Sequence, residues 1–319
     1  MIKIKVEERF DSTYCSDLIT DYASKIQFTP WVKFNKTDLS NGFLIVGDIH
    51  GSLSNLSKAI EVAEERGIGK IVFLGDYADR GSNGYEVICN LIQIKLNEPD
   101  RIIILRGNHE SRSMNTYYGF LDELHSKFGS DTGFKLFNMI LSHIYQRLTW
   151  LVIAGDWLLV HGGVPCKACK SMPGEPATLK ELLAAAENTR EAIETTEGIP
   201  SILMQALWND PDGGVKWFAP NIRGEGIYVY GRLAWGKFLD VSNLKGIIRS
   251  HEVKDTYALW LSDGRYYEGE ALEALSKNME INPSGLDHPV FTVFTSEYHL
   301  RGAGAILLWS DILELVRIK

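Results

Sequence analysis

Phe43-Leu44-Ile45-Val46-Gly47-Asp48-Ile49-His50-Gly51 is the stretch whose reading decides how this chain folds. Four consecutive apolar residues mark a strand buried on both faces, and the run halts at a glycine followed by an acid and an imidazole. The same order returns four times. Ile71 to Leu74 precede Gly75-Asp76, and Ile102 to Leu105 precede Arg106-Gly107-Asn108-His109-Glu110. Trp157 to Val160 precede His161-Gly162-Gly163, and Gly246-Ile247-Ile248 precede Arg249-Ser250-His251-Glu252. A buried strand that hands a carboxylate, amide or imidazole to a glycine-bearing loop, five times over, predicts strand ends converging on metal ions.

Working outward, strand and helix alternate: strand 43–46, helix 54–66 ending at Gly67, strand 71–74, helix 84–97, strand 102–105. That alternation predicts βαβ crossovers and an α/β fold with a largely buried sheet. Leu18, Ile19, Tyr22, Ala23 and Ile26 keep a helical period over 16–28, with Ser16 as its cap, and predict an N-terminal helix within residues 1–40 packed on the main body. Phe120, Leu121, Leu124 and Phe128, then Phe134, Phe137, Ile140, Leu141 and Ile144, are spaced as the core faces of two further helices. Residues 166–207, Pro-bearing at first and Glu-rich over 185–197, read as a surface helix and loop. Short β-prone pieces near 227–230, 257–261, 290–295 and 304–309 read as strands. All 319 residues are expected to form one domain.

Composition excludes several classes. With 45% hydrophobic and 23% charged residues the chain has an ordinary globular make-up. A net charge of −8 argues against a general nucleic-acid binder, which needs a basic face. No apolar stretch is long enough to span a bilayer, so no membrane partner is expected. Met1 to Phe10 alternates Ile with Lys in place of a leader's apolar core, and a cytosolic location is the expectation. Cys15, Cys89, Cys166 and Cys169 are too few and too scattered for a disulfide framework. Cys166 and Cys169 have the spacing of half a zinc site, but no second thiol pair exists to complete it.

The loops carry the chemistry. Asp48 and His50 flank one residue, Ile49, so extended backbone would place carboxylate and imidazole on one side, half of a cage for a divalent metal. Asp76 has two oxygens and can bridge two cations about 3.5–4 Å apart. Asn108 offers a neutral oxygen ligand, while His109 beside it is free to donate a proton, with Asp79 to orient its ring. His161 and His251 complete the shell of the second metal; the two glycines after His161 favour that reading over a structural histidine. Arg80 and Arg223 have guanidinium forks that match the oxygens of a tetrahedral phosphate, against the plain alternative of a structural ion pair. His125, His143, His288 and His299 have no partners in sequence and receive no role.

In this order and at these intervals, Gly-Asp-Ile-His-Gly, Gly-Asp-Tyr-Ala-Asp-Arg-Gly, Arg-Gly-Asn-His-Glu-Ser, His-Gly-Gly and Arg-Ser-His-Glu resemble the metal-dependent serine/threonine phosphoprotein phosphatase family over roughly residues 43–310. Within it, the chain looks closest to a prokaryotic, archaeal-type member. The resemblance implies a calcineurin-like α/β metallophosphatase sandwich: two mixed β-sheets flanked by helices, with a dinuclear metal site at the strand ends. It implies Asp48, His50 and Asp76 as ligands of the first metal, and Asp76, Asn108, His161 and His251 as ligands of the second. His109 with Asp79 matches the family's acid and its partner; Arg80 and Arg223, with Asn108, match its phosphate-binding groups. The late loop Phe294-Thr295-Ser296-Glu297-Tyr298-His299 is shorter than the family's and lacks its Pro and Asn, and Tyr298 matches the family's site tyrosine. Trp208-Asn209-Asp210-Pro211 resembles a supporting motif.

The expected reaction is hydrolysis of phosphoserine and phosphothreonine monoesters in proteins. A hydroxide shared by two divalent metals attacks in line and His109 protonates the leaving oxygen. Manganese is the first choice of metal, with iron and zinc as alternatives. A dinucleoside tetraphosphate hydrolase or other phosphodiesterase could use the same cage, though the His161 glycines and the Arg223 loop lean toward phosphoprotein. An inactive scaffold that binds phosphorylated partners is the rival from another class.

Overall fold

The computed structural model of the protein describes residues 4–167, 174–189, 199, 201–299 and 302–318. The chain opens with α1 (Ser12–Lys25), β1 (Trp31–Phe34), β2 (Phe43–Val46), α2 (Leu53–Glu65), β3 (Lys70–Phe73), α3 (Gly84–Asn97) and β4 (Ile102–Ile104). It continues through α4 (Arg112–Tyr117), α5 (Phe120–Phe128), α6 (Ser130–Met139), β5 (Leu151–Ala154), β6 (Trp157–Val160), α7 (Leu179–Glu187) and α8 (Ser201–Trp208). Then come β7 (Asp210–Asp212), β8 (Phe218–Pro220), β9 (Tyr228–Gly231), α9 (Arg232–Ser242), β10 (Gly246–Arg249), β11 (Tyr257–Trp260) and β12 (Tyr266–Glu268). The last elements are α10 (Glu270–Leu275), β13 (Glu280–Ile281), β14 (Val290–Val293), β15 (Gly304–Trp309) and β16 (Ile312–Arg317).

Two mixed sheets form a sandwich. One has six strands in the order β13-β16-β15-β2-β3-β4, with β2, β3 and β4 parallel. The other has seven in the order β1-β5-β6-β10-β14-β11-β12, with β6, β10 and β14 parallel. The uninterrupted apolar runs exist because each strand is covered on both faces. Odd and even residues go to different layers: Phe43 and Ile45 of β2 meet Leu159 of β6, Ile248 of β10 and Phe291 of β14 between the sheets. Leu44 and Val46 pack outward against α1, α2 and α3. On the far side of the seven-stranded sheet, Leu158, Val160 and Ile247 pack against α7, α8 and α9.

Several local expectations shift. The first helix starts four residues before Ser16, because Asp11, not Ser16, caps it by accepting from the backbone of Thr13 and Tyr14. The helix read through Ile144 is regular only to Met139 and loosens into a π-turn over Ile140–Ile144. Within 166–207, α8 is no loose surface piece, since Leu203, Ala206 and Leu207 are buried in the core under the sheet. Residues 190–197 of the Glu-rich run at 185–197, and Cys169, lie outside the described residues. The strand at 228–231 belongs to a third, three-stranded sheet, β7-β9-β8, which sequence patterning does not predict. Although the four scattered cysteines predict no disulfide framework, Cys15 and Cys89 form a disulfide that ties α1 to α3. No described helix is long and apolar enough to cross a membrane.

Candidate active site

The C-terminal ends of β2, β3 and β4 in one sheet and of β6 and β10 in the other meet at one place, and their loops hold the site. Asp48, two residues past β2, bridges in parallel to Phe294, the residue after β14 of the opposite sheet, and so joins the two layers. Asp48, His50, Asp76, Asn108, His161 and His251 are all buried there. Five residues of this cluster and its rim, His50, Asp76, Asp79, Arg80 and His251, adopt positive φ, between 45° and 74°. Non-glycine residues reach that region at a cost, and such strain gathers at functional sites. The extended geometry expected for Asp48-Ile49-His50 therefore fails at His50, although Ile49 does turn into the core. Glycine is required opposite: a Cβ on Gly107 would stand 2.2 Å from Asp76 Oδ1.

Asp76 lies at the centre. One trio of side chains that could hold a cation is His50, Asp76 and His109, another is Asp76, His161 and His251, and Asp76 belongs to both. His161 Nε2 is 2.9 Å from Asn108 Oδ1 and 3.4 Å from Asp76 Oδ1. His251 Nδ1 is 2.8 Å from Asn108 Oδ1. On the other side, His50 Nε2 is 3.6 Å from Asp76 Oδ2 and 3.9 Å from Asp48 Oδ2.

These residues fit divalent cations. His161 donates Nδ1–H to the Leu74 carbonyl and His50 donates its Nδ1–H to that of Ala78, so each ring turns its Nε2 inward toward oxygens. Imidazoles that ligate metals are held this way, with the second nitrogen on a carbonyl. Acceptor oxygens facing a nitrogen whose partner nitrogen already carries the proton call for a positive charge between them. His251 Nε2 is buried with no hydrogen-bond partner among the described residues. Burial holds the pKa of His50 and of His251 below the ordinary imidazole value, which favours the neutral, ligating form. Burial alone would raise Asp76, but the His161, His109 and His50 rings outweigh it and keep the carboxyl well below its usual range.

Beside the cluster, His109 Nδ1 lies 2.7 Å from Asp79 Oδ2, and its Nε2 is 4.0 Å from Asp76 Oδ2. Burial opposes a charged His109, yet Asp76, Asp79 and Glu110 together raise its pKa above the ordinary imidazole value. Arg80 is exposed, and among the described residues it makes no ion pair; its guanidinium stacks on Tyr118, 3.8 Å from the ring centre, and stands 5.8 Å from the centre of Tyr298. Tyr298 meets the His50 ring edge-on at 5.1 Å between centres. Arg223 is placed differently. Its Nε binds Asp210 Oδ2 at 2.6 Å, and Asp210 also pairs with the fully buried Arg249 at 2.9 Å.

Four supporting residues escape a reading of the sequence. Glu110 accepts from the backbone N–H of Gly107, Asp76 and Tyr77 at 2.7–3.0 Å, stapling the β3 loop to the β4 loop; burial and then Asp76 push its pKa up to about 7. Ser250 donates to Asp48 and receives the N–H of Asp48, linking β10 to β2. Asn115 donates to Asp79 at 2.8 Å, and Tyr118 packs 4.9 Å from the His109 ring. Glu110 and Ser250 had a usable signal, since each stands beside a histidine in a ligand loop, His109 and His251. Of the Trp208-Asn209-Asp210-Pro211 motif, Asn209 binds Val164 O and the Tyr228 N–H, and Asp210 pairs with Arg223 and Arg249.

A sandwich whose strand ends gather carboxylates, imidazoles and an amide around one shared aspartate is the arrangement of a metal-dependent hydrolase. The model of the calcineurin-like phosphoesterase family matches residues 42–255. The chain belongs to that family, and divalent metal ions go with its fold. It is 34% identical over 221 residues to a protein of Schizosaccharomyces pombe named as a serine/threonine-protein phosphatase, a stretch covering 69% of this chain and 66% of that one. It is 30% identical over 222 residues to a catalytic chain of protein phosphatase 2A from Dictyostelium discoideum, covering 69% and 64%. The chain thus spans just under two thirds of the length of these relatives. Its fold is shared with a serine/threonine phosphatase of Saccharomyces cerevisiae, at a TM-score of 0.70 and 23% identity over 96% of this chain and 90% of the other.

Proposed function

We propose that this protein is a metal-dependent serine/threonine protein phosphatase that hydrolyses phosphoserine and phosphothreonine monoesters. The observation that carries the reading is Asp76, which belongs to both cation-capable trios at once and so fits the bridging position of a two-metal site. The names of the relatives support the substrate class. Manganese is the proposed metal, with iron and zinc the alternatives, because the donor set of carboxylate, amide oxygen and imidazole contains no thiolate.

Divalent cations held by Asp48, His50, Asp76, Asn108, His161 and His251 supply Lewis acidity and an activated water. The chain's own groups do the rest. Arg80, clamped on Tyr118 and free of any carboxylate among the described residues, offers its fork to the phosphoryl oxygens; Arg223 adds a second charge beyond Asp210, and Tyr298 limits the pocket beside His50. Asp79 accepts the Nδ1–H of His109, which leaves Nε2 as the atom that protonates the departing seryl or threonyl oxygen.

Phosphate release from a phosphoserine protein, with and without manganese and alongside diadenosine tetraphosphate, tests the proposal. It predicts manganese-dependent turnover of the phosphoprotein well above that of the dinucleotide. Preference for the dinucleotide would move the assignment to a phosphodiesterase, and no turnover of either would favour the scaffold.

A further inference from the structure

We infer that Asn115 and Tyr145 are positioning residues for the proton donor His109, an inference that rests on the acid role proposed above. Both are buried, and together they form one hydrogen-bonded line ending at the Asp79–His109 pair. Asn115 Nδ2 donates to Asp79 Oδ2 at 2.8 Å and to the carbonyl of His109 at 2.9 Å. Its Oδ1 accepts from the Tyr145 hydroxyl at 2.8 Å.

Chemistry fixes every orientation along this line. A carboxylate and a carbonyl can only accept, so the NH2 of Asn115 must face Asp79 and His109 and its oxygen must face Tyr145. The Tyr145 hydroxyl is then the donor. Asp79 is held from its other side by the Phe120 N–H, 3.1 Å from Oδ1. One amide therefore sets both the orienting carboxylate and the backbone of the ring it orients. If the amide turned, Asp79 and His109 would move relative to each other, and Tyr145 is the side chain that stops it turning.

Tyr145 sits where the helix that began as α6 ends, just past the π-turn at Ile140–Ile144 and in a single 3-10 turn, Tyr145–Arg147. A regular α-helical continuation would present position 145 at another angle. Irregular helical turns of this kind recur beside functional sites.

A purely structural hydrogen bond would, when removed, lower stability and reduce turnover of all substrates alike. A bond that aims a proton donor matters only when the leaving group needs the proton. The test compares Y145F and N115A with the parent protein and H109N, loaded with manganese and assayed below their melting midpoints. The substrates are an alkyl ester, phosphoserine peptide, and an aryl ester, 4-nitrophenyl phosphate. Expected is a roughly 10-fold fall in kcat for the alkyl ester in Y145F and a larger one in N115A, with KM little changed and a much smaller fall for the aryl ester.

Equal losses on both esters, or an unchanged alkyl rate in folded Y145F, overturn the inference. H109N separates the two failures. If it discriminates between the esters while Y145F and N115A do not, only the positioning roles fall; if it does not discriminate, the acid role falls and they fall with it. A readout without turnover is the solvent exchange of the His109 Nδ1 proton by NMR, expected to quicken severalfold in N115A. Unchanged exchange in folded N115A also overturns the inference.

Discussion

Asp79 Oδ2 sits 2.7 Å from Nδ1 of His109, thirty positions further along the chain, and this contact decides which nitrogen of the ring is left for the proposed proton transfer. Because the carboxylate accepts, Nδ1 carries the hydrogen, and Nε2 is the nitrogen left facing Asp76. A seryl alkoxide needs a proton from Nε2 far more than a nitrophenolate does. Replacing His109 by Asn is expected to cost about 10²–10⁴ in kcat on phosphoserine peptide and much less on 4-nitrophenyl phosphate. Paired steady-state assays check it; an equal loss on both esters refutes the acid role.

The two arginines proposed to bind phosphate should not be equivalent. Arg80 has no carboxylate partner among the described residues, whereas the charge of Arg223 is partly answered by Asp210. R80A is expected to weaken competitive inhibition by inorganic phosphate roughly 10-fold or more, on the scale of one charge-assisted pair, and R223A by a smaller factor. Inhibition constants measured side by side report the order, and a reversed order contradicts the placement.

Asp210 neutralises a buried cation. Arg249 is fully buried between Asp210 and Glu252, and its Nε also binds the Gly162 carbonyl beside His161. D210A leaves Arg249 half-paired, and stability should drop by about 3–5 kcal/mol. Urea unfolding would show this as a lower midpoint; a change under about 1 kcal/mol would mean that the pair contributes little, as exposed pairs do.

Glu123 should give stability a measurable pH slope. It reaches from α5 to accept the N–H groups of Gly84 and Tyr85 at the start of α3, and burial raises its pKa from 4.5 to about 7. The folded chain thus holds this proton more tightly than the unfolded chain does. Its contribution is complete below about 4.5 and is lost as pH rises to about 7. Unfolding titrations of the parent protein and E123Q should differ in slope across that window, with the flatter profile in E123Q; parallel profiles would rule out the raised value.

Much of this was legible in the sequence because the strands are buried on both faces. Such strands read as unbroken apolar runs, and their abrupt ends point at Asp48, Asp76, Asn108, His161 and His251. What escaped depends on tertiary neighbours. Asp210-Pro211-Asp212 has no strand composition and becomes β7 only by pairing with β9. Asn115 and Tyr145 are single polar residues whose partners lie far off in the chain, so no spacing announces them. Cys15 and Cys89 stand 74 residues apart, and only the packing of α1 on α3 brings their sulfurs together.

That disulfide can be checked directly. Thiol titration of denatured, unreduced protein should find Cys15 and Cys89 unreactive, and C15A/C89A should lose up to about 4.4 kcal/mol, the loop-closure value for a loop of 74 residues. Free thiols at both positions would contradict the pairing. Disulfides persist mainly in oxidising compartments and in hyperthermophile cells, so the same titration on freshly lysed cells bears on the proposed cytoplasmic location.

The proposed chemistry requires Asp76 to touch two cations. Anomalous scattering from crystals grown with manganese tests this most directly. Two peaks about 3.5–4 Å apart, one on each side of the Asp76 carboxylate, are expected, with Asp48 and His50 at one and Asn108, His161 and His251 at the other. A single peak, or manganese bound away from Asp76, would contradict it.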